Sequence, residues 1–101
     1  MFERKTINTI IHQFIEELAN AGYSPDEVFL FGSYAKGKPN KYSDIDVAVW
    51  DKKFSGCLPL DIENIKSIVS KYSAIELHTF NSDDKDSPFI REIKTNGIRI
   101  I

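Results

Sequence analysis

Residues 31–47 read FGSYAKGKPNKYSDIDV, and two features of this stretch decide the fold. It begins at the end of a short apolar and aromatic run, residues 28–31, which is typical of a strand covered on both faces. It ends inside a second run, residues 44–50, in which aliphatic residues alternate with aspartates as they do in a half-buried strand. The residues between the two runs include glycine, proline and lysine and predict a turn, with room for a short helix, and then a loop.

The rest of the chain alternates helical and extended patterns. Apolar spacings of three and four predict helices, and period-two alternation predicts strands. The remaining predicted elements are a helix over residues 7–18 that stops at Gly22, a helix over 62–72 with Asp61 near its first turn, a strand over 74–80, a helix from Pro88 to about Gly97 and a small strand over 98–101. This order indicates a single α/β or α+β domain over residues 1–101, with helices packed on one mixed sheet.

Charge and hydropathy exclude several classes of protein. The sequence has thirteen Lys and Arg residues and fifteen Asp and Glu residues, which gives a net charge of -2. A protein that coats nucleic acid without sequence preference needs an excess of positive charge, so no direct nucleic-acid binding is expected. No apolar run approaches the roughly 20 residues that span a bilayer. The single cysteine, Cys57, cannot form an internal disulfide, and the N-terminus does not resemble a secretory signal, so a cytoplasmic location is expected.

Gly32-Ser33 follows the first predicted strand directly. If the residues after it open a helix, free backbone N–H groups point outward at that junction and suit a phosphate. Gly32 would let the phosphate approach closely, and the Ser33 hydroxyl would add a donor. Taken alone, the pair indicates no more than a plain turn at the exit of a strand, because Gly-Ser is common in turns.

Asp44 and Asp46 are separated by one residue within the second predicted strand. Side chains two apart on a strand lie on one side, with Cα atoms about 6.6 Å apart. Two carboxylates held together repel unless a cation lies between them, and oxygen ligands of this kind favour Mg²⁺. With two histidines and one cysteine, a structural zinc site is not expected. The alternative is the solvent-facing side of an edge strand.

In combination, the glycine-serine pair, ten intervening residues and Asp44-x-Asp46 resemble the signature of the polymerase-β-like nucleotidyltransferase superfamily. The stretch is most similar to the minimal, MNT-type members. The resemblance implies that family's mixed-sheet catalytic fold for the whole chain.

The resemblance also implies a role for each matching position. Gly32 and Ser33 would hold nucleotide phosphates. Asp44 and Asp46 would bind two Mg²⁺ ions that bridge the triphosphate. Glu76 matches the place of the third carboxylate, on the next strand, where it would help to activate the attacking hydroxyl. The family often has aspartate there, and an exposed strand glutamate without a function is the alternative.

Five further positions are candidates for a role in the site. Lys36 stands where the family commonly has arginine, and a lysine attracts phosphate without the bidentate fork. Ser43, within the matching stretch, is expected to contribute to nucleotide binding. Lys38 and Lys41 would either solvate the loop or draw in the triphosphate. His78 shares a strand face with Glu76 and is either a substitute ligand or base, or a residue without a role in the site.

The implied activity is Mg²⁺-dependent transfer of a nucleotidyl group, AMP from ATP, to a hydroxyl, with release of pyrophosphate. MNT-type proteins are often paired with helical HEPN-type toxins and act as antitoxins that modify a toxin tyrosine, so such a partner is expected. Two alternatives stay open: a small-molecule acceptor, as in aminoglycoside-modifying relatives, and a degenerate module that binds a partner without transfer.

Overall fold

The computed structural model describes residues 2–101. Five α-helices and four strands follow one another along the chain, with one turn of 3₁₀-helix between α3 and α4. Their bounds are α1 Arg4–Asn20, β1 Glu27–Phe31, α2 Gly32–Ala35, β2 Ile45–Trp50, α3 Leu58–Asp61, the 3₁₀ turn Ile62–Asn64, α4 Lys66–Lys71, β3 Ile75–Phe80, α5 Pro88–Asn96 and β4 Ile98–Arg99.

The four strands form one mixed sheet in the order β3-β2-β1-β4. β1 is antiparallel to both β2 and β4, whereas β2 and β3 are parallel. The register places Asp46 opposite Phe31 on one side and opposite Glu76 on the other. The predicted mixed sheet with helices packed on it is therefore confirmed.

Each face of the sheet carries its own hydrophobic core. On one face, α1 and α4 cover strand residues that include Leu30, Val47 and Leu77. On the opposite face, α5 packs Ile90 and Ile93 against a smaller cluster, whose strand members are Phe29, Ala48 and Trp50. Burying a side chain such as Ile90 stabilises the fold by about 1.5–3 kcal/mol.

α1 forms where the apolar periodicity predicts it. Ile7, Ile11, Phe14 and Leu18 are spaced by three or four residues, and all are buried against the sheet. The helix extends to Arg4, one turn beyond the predicted start, and Gly22 follows its end with a φ of 96°. That left-handed conformation costs glycine little and reverses the chain toward β1.

The helix predicted over residues 62–72 is not continuous. The chain forms α3, a 3₁₀ turn and α4 instead, and the break lies at Ile65, whose backbone has φ -129° and ψ 23°. Ile65 is 1% exposed, so the interruption lets this side chain reach the core. Periodicity alone did not reveal it because Ile62, Ile65, Ile68 and Val69 keep helical spacing across the break.

Asp61 is a buried hydrogen-bond acceptor and not merely a charge near a helix start. Its Oδ1 accepts from the backbone N–H and hydroxyl of Ser55 at 2.8 and 2.9 Å. Its Oδ2 accepts from the Gly56 N–H at 3.0 Å and the Thr79 hydroxyl at 2.6 Å. Burial raises the pKa of Asp61, but these hydrogen bonds, led by that from the Ser55 N–H, hold it below its ordinary value.

α5 has the boundaries that its sequence predicts. The Ser87 hydroxyl accepts a hydrogen bond from the Ile90 N–H at 3.1 Å, and Pro88 occupies the first helical position. Gly97 follows the last helical residue, and glycine is required there because a Cβ would overlap the Ile93 carbonyl oxygen. β4 is shorter than predicted and contains Ile98–Arg99 alone.

None of the helices within residues 2–101 combines the length and the apolarity needed to cross a bilayer.

We predict that Asp61→Ala lowers the free energy of unfolding by about 3 kcal/mol at pH 7, because it leaves four donors without their shared acceptor. Equilibrium urea denaturation measures the change. Since the folded-state pKa of Asp61 lies below the ordinary 3.8, its contribution is complete above that pH and is lost as the pH falls further. The difference between wild type and variant should therefore shrink at pH 3.

Glu63→Ala is the matched control. Glu63 lies two residues away, and its exposed carboxylate pairs with Lys66 at 3.2 Å. An exposed pair of this kind contributes less than about 0.5 kcal/mol. Equal losses for the two variants would show that Asp61 has no special role.

Candidate functional site

Two rows of side chains cross the sheet on the face that α5 covers. The outer row consists of Phe31, Asp46 and Glu76, which are register partners on β1, β2 and β3. The inner row places Ala48 between Phe29 and His78. α5 lies over the inner row and its Phe89 also contacts Phe31, whereas the two carboxylates of the outer row stay accessible: Asp46 is half-buried and Glu76 is exposed.

Asp46, Glu76 and His78 form the one compact group of three or more possible metal ligands within residues 2–101. One ligand atom from each residue lies within 4.8 Å of the others. Two carboxylate oxygens and one imidazole nitrogen at this spacing suit a single divalent cation. Glu76 and His78 lie together because residues two apart on a strand share a face.

The surroundings of Asp46 disfavour its charged form. Burial raises the pKa of Asp46, as do a side-chain hydrogen bond with Glu76 and the charges of Glu76 and Asp44, to about 7. Burial also lowers the pKa of His78, and the Glu76 charge offsets this in part. A bound cation would offset the repulsion between the two carboxylates and could also accept a lone pair from the neutral His78 imidazole.

Gly32 makes room for the Asp46 carboxylate. Its φ is 73°, and a Cβ at this position would overlap Asp46 Oδ2. A larger residue is disfavoured here for two reasons. The left-handed backbone conformation would strain it, and its Cβ would collide with the Asp46 carboxylate. The glycine of the FGS stretch is therefore required by contact with the carboxylate site, in addition to any role toward phosphate.

Ser33 lies next to this corner, in the first turn of α2, and is half-buried. Asp44 lies one residue before β2 and is exposed, so it stands outside the compact ligand group while its charge still acts on Asp46. Of the three predicted metal ligands, the structure thus brings Asp46 and Glu76 together, with His78 as the third member.

The remaining predicted positions lie in and beside the loop between α2 and β2. Lys36 is exposed directly after α2, and Lys38 and Lys41 are exposed further along. The Ser43 hydroxyl accepts a hydrogen bond from the Asn40 N–H at 2.9 Å, which closes a turn in this loop. The Ser43 side chain therefore stabilises a turn of this loop.

An aromatic cluster borders the ligand group. The Phe31 ring meets the His78 ring edge-on at 5.0 Å between centroids, and the Phe89 ring packs against His78 at 5.6 Å. Phe89, in the first turn of α5, is 45% exposed. These contacts orient the His78 imidazole, and they leave an apolar surface beside the carboxylates.

Comparison with known proteins identifies the fold. The profile of the Polbeta family, described as polymerase beta, nucleotidyltransferase, matches residues 13–101. Among solved structures, a Sulfolobus solfataricus protein classed as a nucleotidyltransferase is similar with a TM-score of 0.64 and 21% identity, covering 93% of this chain and 78% of that one. No curated protein sequence matches significantly.

Two mutant forms of the toxin–antitoxin complex MntA–HpeT are also similar. Their TM-scores are 0.62 and 0.61, with 18% and 20% identity, and the alignments cover 89% and 90% of this chain and 71% of each of theirs. At this identity the likeness concerns the fold. The family match covers most of the chain, including both strands that carry the acidic residues. The chain is therefore a member of the polymerase β nucleotidyltransferase family.

Proposed function

We propose that this protein is an antitoxin-type nucleotidyltransferase, which moves AMP from ATP, with Mg²⁺, to a tyrosine hydroxyl of a HEPN-type toxin. The observation that carries the proposal is the Asp46–Glu76–His78 group beside the Gly32-Ser33 corner. Family membership supports nucleotidyl transfer in general. The similarity to the MntA–HpeT structures supports a toxin as the partner.

The residues present fit a divalent cation. Burial, and after it the neighbouring Glu76 and Asp44 carboxylates, raise the pKa of Asp46, and a bound cation would favour its charged form again. Asp46 and Glu76 would hold the first ion, and Asp44, facing solvent before β2, would contribute to a second. When bound, Mg²⁺ neutralises the triphosphate and orients it for in-line attack.

The corner after β1 supports phosphate binding. The Ser33 hydroxyl is a donor in the first turn of α2, and Gly32 beside it contacts the Asp46 carboxylate, so a phosphate held here would lie next to the proposed metal ligands. The exposed Lys36 adds a positive charge near this corner. Together these groups would hold the triphosphate with its α-phosphorus toward the carboxylates.

Glu76 would accept the proton of the attacking hydroxyl. In this step the acceptor oxygen bonds to the α-phosphorus, the bond to the β-phosphate breaks and pyrophosphate leaves. Glu76 is exposed at the rim, where an incoming side chain can reach it, and Asp46 lies deeper against Gly32. The open rim would admit an acceptor presented by another protein.

The test is incubation of the protein with labelled ATP, Mg²⁺ and the product of the adjacent open reading frame, followed by mass spectrometry. We expect the partner to gain the mass of one AMP on a tyrosine. Asp46→Asn and Glu76→Gln should each slow this transfer about 10³-fold, because each removes a group that acts on the reacting atoms.

Glu16→Gln is the matched control, since it makes the same chemical change on α1, which covers the opposite face of the sheet. It should leave the transfer rate unchanged. Stable binding of the partner without any transfer, unaffected by Asp46→Asn, would contradict the proposal and indicate a binding module. Label on a small-molecule hydroxyl but on no protein would contradict the assignment of the acceptor.

A second prediction concerns stability without metal. The folded-state pKa of Asp46, about 7, exceeds its ordinary 3.8, so its contribution to stability is complete below 3.8 and is lost as the pH rises toward 7. In EDTA, the wild type should therefore melt at a lower temperature at pH 8 than at pH 5. Asp46→Asn should raise the pH 8 melting temperature by a few degrees, because it removes the carboxylate repulsion.

Asp44→Asn provides the comparison in the same scans. The Asp44 charge is the smallest of the causes that raise the Asp46 pKa, so this variant should change the pH dependence less. Adding Mg²⁺ at pH 8 should stabilise the wild type and have little effect on Asp46→Asn. A lower melting temperature for Asp46→Asn at pH 8 would show that the two carboxylates do not oppose one another.

A further inference from the structure

His78 adds a nitrogen ligand to a site whose other members are oxygen ligands. One of its ring nitrogens lies within 4.8 Å of a carboxylate oxygen of Asp46 and of one of Glu76. The sequence has one other histidine, His12, which is exposed on α1, the helix that covers the opposite face of the sheet. An imidazole ligand in this site can therefore only be His78.

The fold directs the imidazole over β2, toward Asp46. Because β2 lies between β1 and β3, the backbones of those two strands are about 9–10 Å apart. The ring centroids of Phe31, on β1, and His78, on β3, are nevertheless only 5.0 Å apart. Both side chains therefore lean over β2, where their register partners are Asp46 and Ala48. Ala48 presents only a methyl group, which leaves room for the imidazole.

Two aromatic rings hold the imidazole in this position. The Phe31 ring meets it at an interplanar angle of 68°, and the Phe89 ring at 69°. Phe31 and Phe89 also contact one another, with 5.8 Å between their centroids, so the three rings form one packed cluster. A ligand side chain whose rotamer is locked by packing is already ordered before the ion binds.

The His78 imidazole has no other polar role in the fold. Neither of its ring nitrogens takes part in a hydrogen bond or an ion pair among residues 2–101. The contacts of the ring are aromatic, and they set its orientation without occupying a nitrogen lone pair. That lone pair is therefore available to an ion held by the two carboxylates.

The kind of ligand decides which ion a site prefers. Mg²⁺ is usually held by one or two carboxylates together with waters and substrate phosphates. Imidazole suits transition metals, whereas carboxylates suit both Mg²⁺ and Mn²⁺. A set of two carboxylates and one imidazole therefore favours a divalent ion that accepts oxygen and nitrogen ligands together.

We infer that His78 is a direct ligand of the ion in this site and gives the site a preference for divalent transition metals, represented by Mn²⁺, over Mg²⁺. Asp46 and Glu76 supply the negative charge that any divalent cation needs, and His78 supplies the selectivity. Mg²⁺ still binds through the two carboxylates. The inference rests on the proposed function, since it assigns the ion of the same site.

Pulsed EPR of Mn²⁺ bound to the protein tests the inference, because the electron spin echo is modulated when a nitrogen atom is bonded to the ion. Measuring without nucleotide excludes the nitrogens of a base. The wild type should show this modulation, and His78→Gln should lose it. Calorimetry should show that His78→Gln binds Mn²⁺ at least about tenfold more weakly, the lower end of the loss when even an outer-shell partner is removed from a metal site. Its affinity for Mg²⁺ should change much less.

His78→Asp distinguishes a ligand from a residue that only packs. A carboxylate at this position is an oxygen ligand, so the variant should lose the nitrogen modulation but still bind both ions. The ratio of its Mn²⁺ affinity to its Mg²⁺ affinity should fall about tenfold relative to the wild type. Loss of packing against Phe31 and Phe89 would weaken both ions alike and leave this ratio unchanged, which would contradict the inference. Thermal melts verify that each variant is folded.

His12→Gln is the matched control, because it makes the same change at the other histidine. It should keep the nitrogen modulation and both affinities. Bound Mn²⁺ without modulation in the wild type, or modulation that persists in His78→Gln, would overturn the inference and leave the proposed transfer intact. Failure of both Mn²⁺ and Mg²⁺ to bind, even with inorganic tripolyphosphate, would overturn the proposed function as well.

Discussion

The parallel pairing of β2 with β3 is the constraint on which the site depends. This register sets Asp46 beside Glu76, although thirty residues of sequence separate them. A slip of one residue would turn every side chain of β3 to the other face, placing Glu76 in the core under α1 and Leu77 in the site. The alternating burial of β3, with Ile75, Leu77 and Thr79 buried, opposes that slip. The same pattern that builds the larger core therefore positions the carboxylates.

The site lies where the smaller core ends. Ala48 and Trp50 are fully buried under α5, whereas Asp46, two residues earlier on the same face, is only half-buried. This partial burial raises the Asp46 pKa while the rim stays open to a ligand. The repulsion between the carboxylates is tolerated because the two cores hold the strands together from both faces.

Much of this arrangement could be predicted from local sequence. Short-range sequence patterns predicted α1, α5 and the three longer strands. The spacing between Gly32-Ser33 and the aspartates indicated the nucleotidyltransferase family. Glu76 could be proposed only through the resemblance, because strand order and register are not local properties. The position of His78 beside Glu76 could be predicted from sequence, because residues two apart on a strand share a face.

Other features depend on contacts that the sequence does not display. The break at Ile65 depends on packing in the core. The burial of Asp61 depends on donors from Ser55 and Gly56, in the loop before α3, and from Thr79 on β3. The contact of Phe89 with His78 depends on how α5 crosses the sheet. Helical periodicity identifies the buried face of α5 but does not say which strand residues its remaining face approaches.

α5 has two structural tasks, and this combination affects how the protein responds to heat. A nine-residue helix is not stable by itself, so α5 persists because Ile90 and Ile93 are buried. The same helix presents Phe89 beside His78 at one end and Asn96 beside Lys36 at the other. Fraying of α5 would move both ends of this helix away from the sheet before the sheet melts. Inactivation on warming would then precede global unfolding and reverse on cooling.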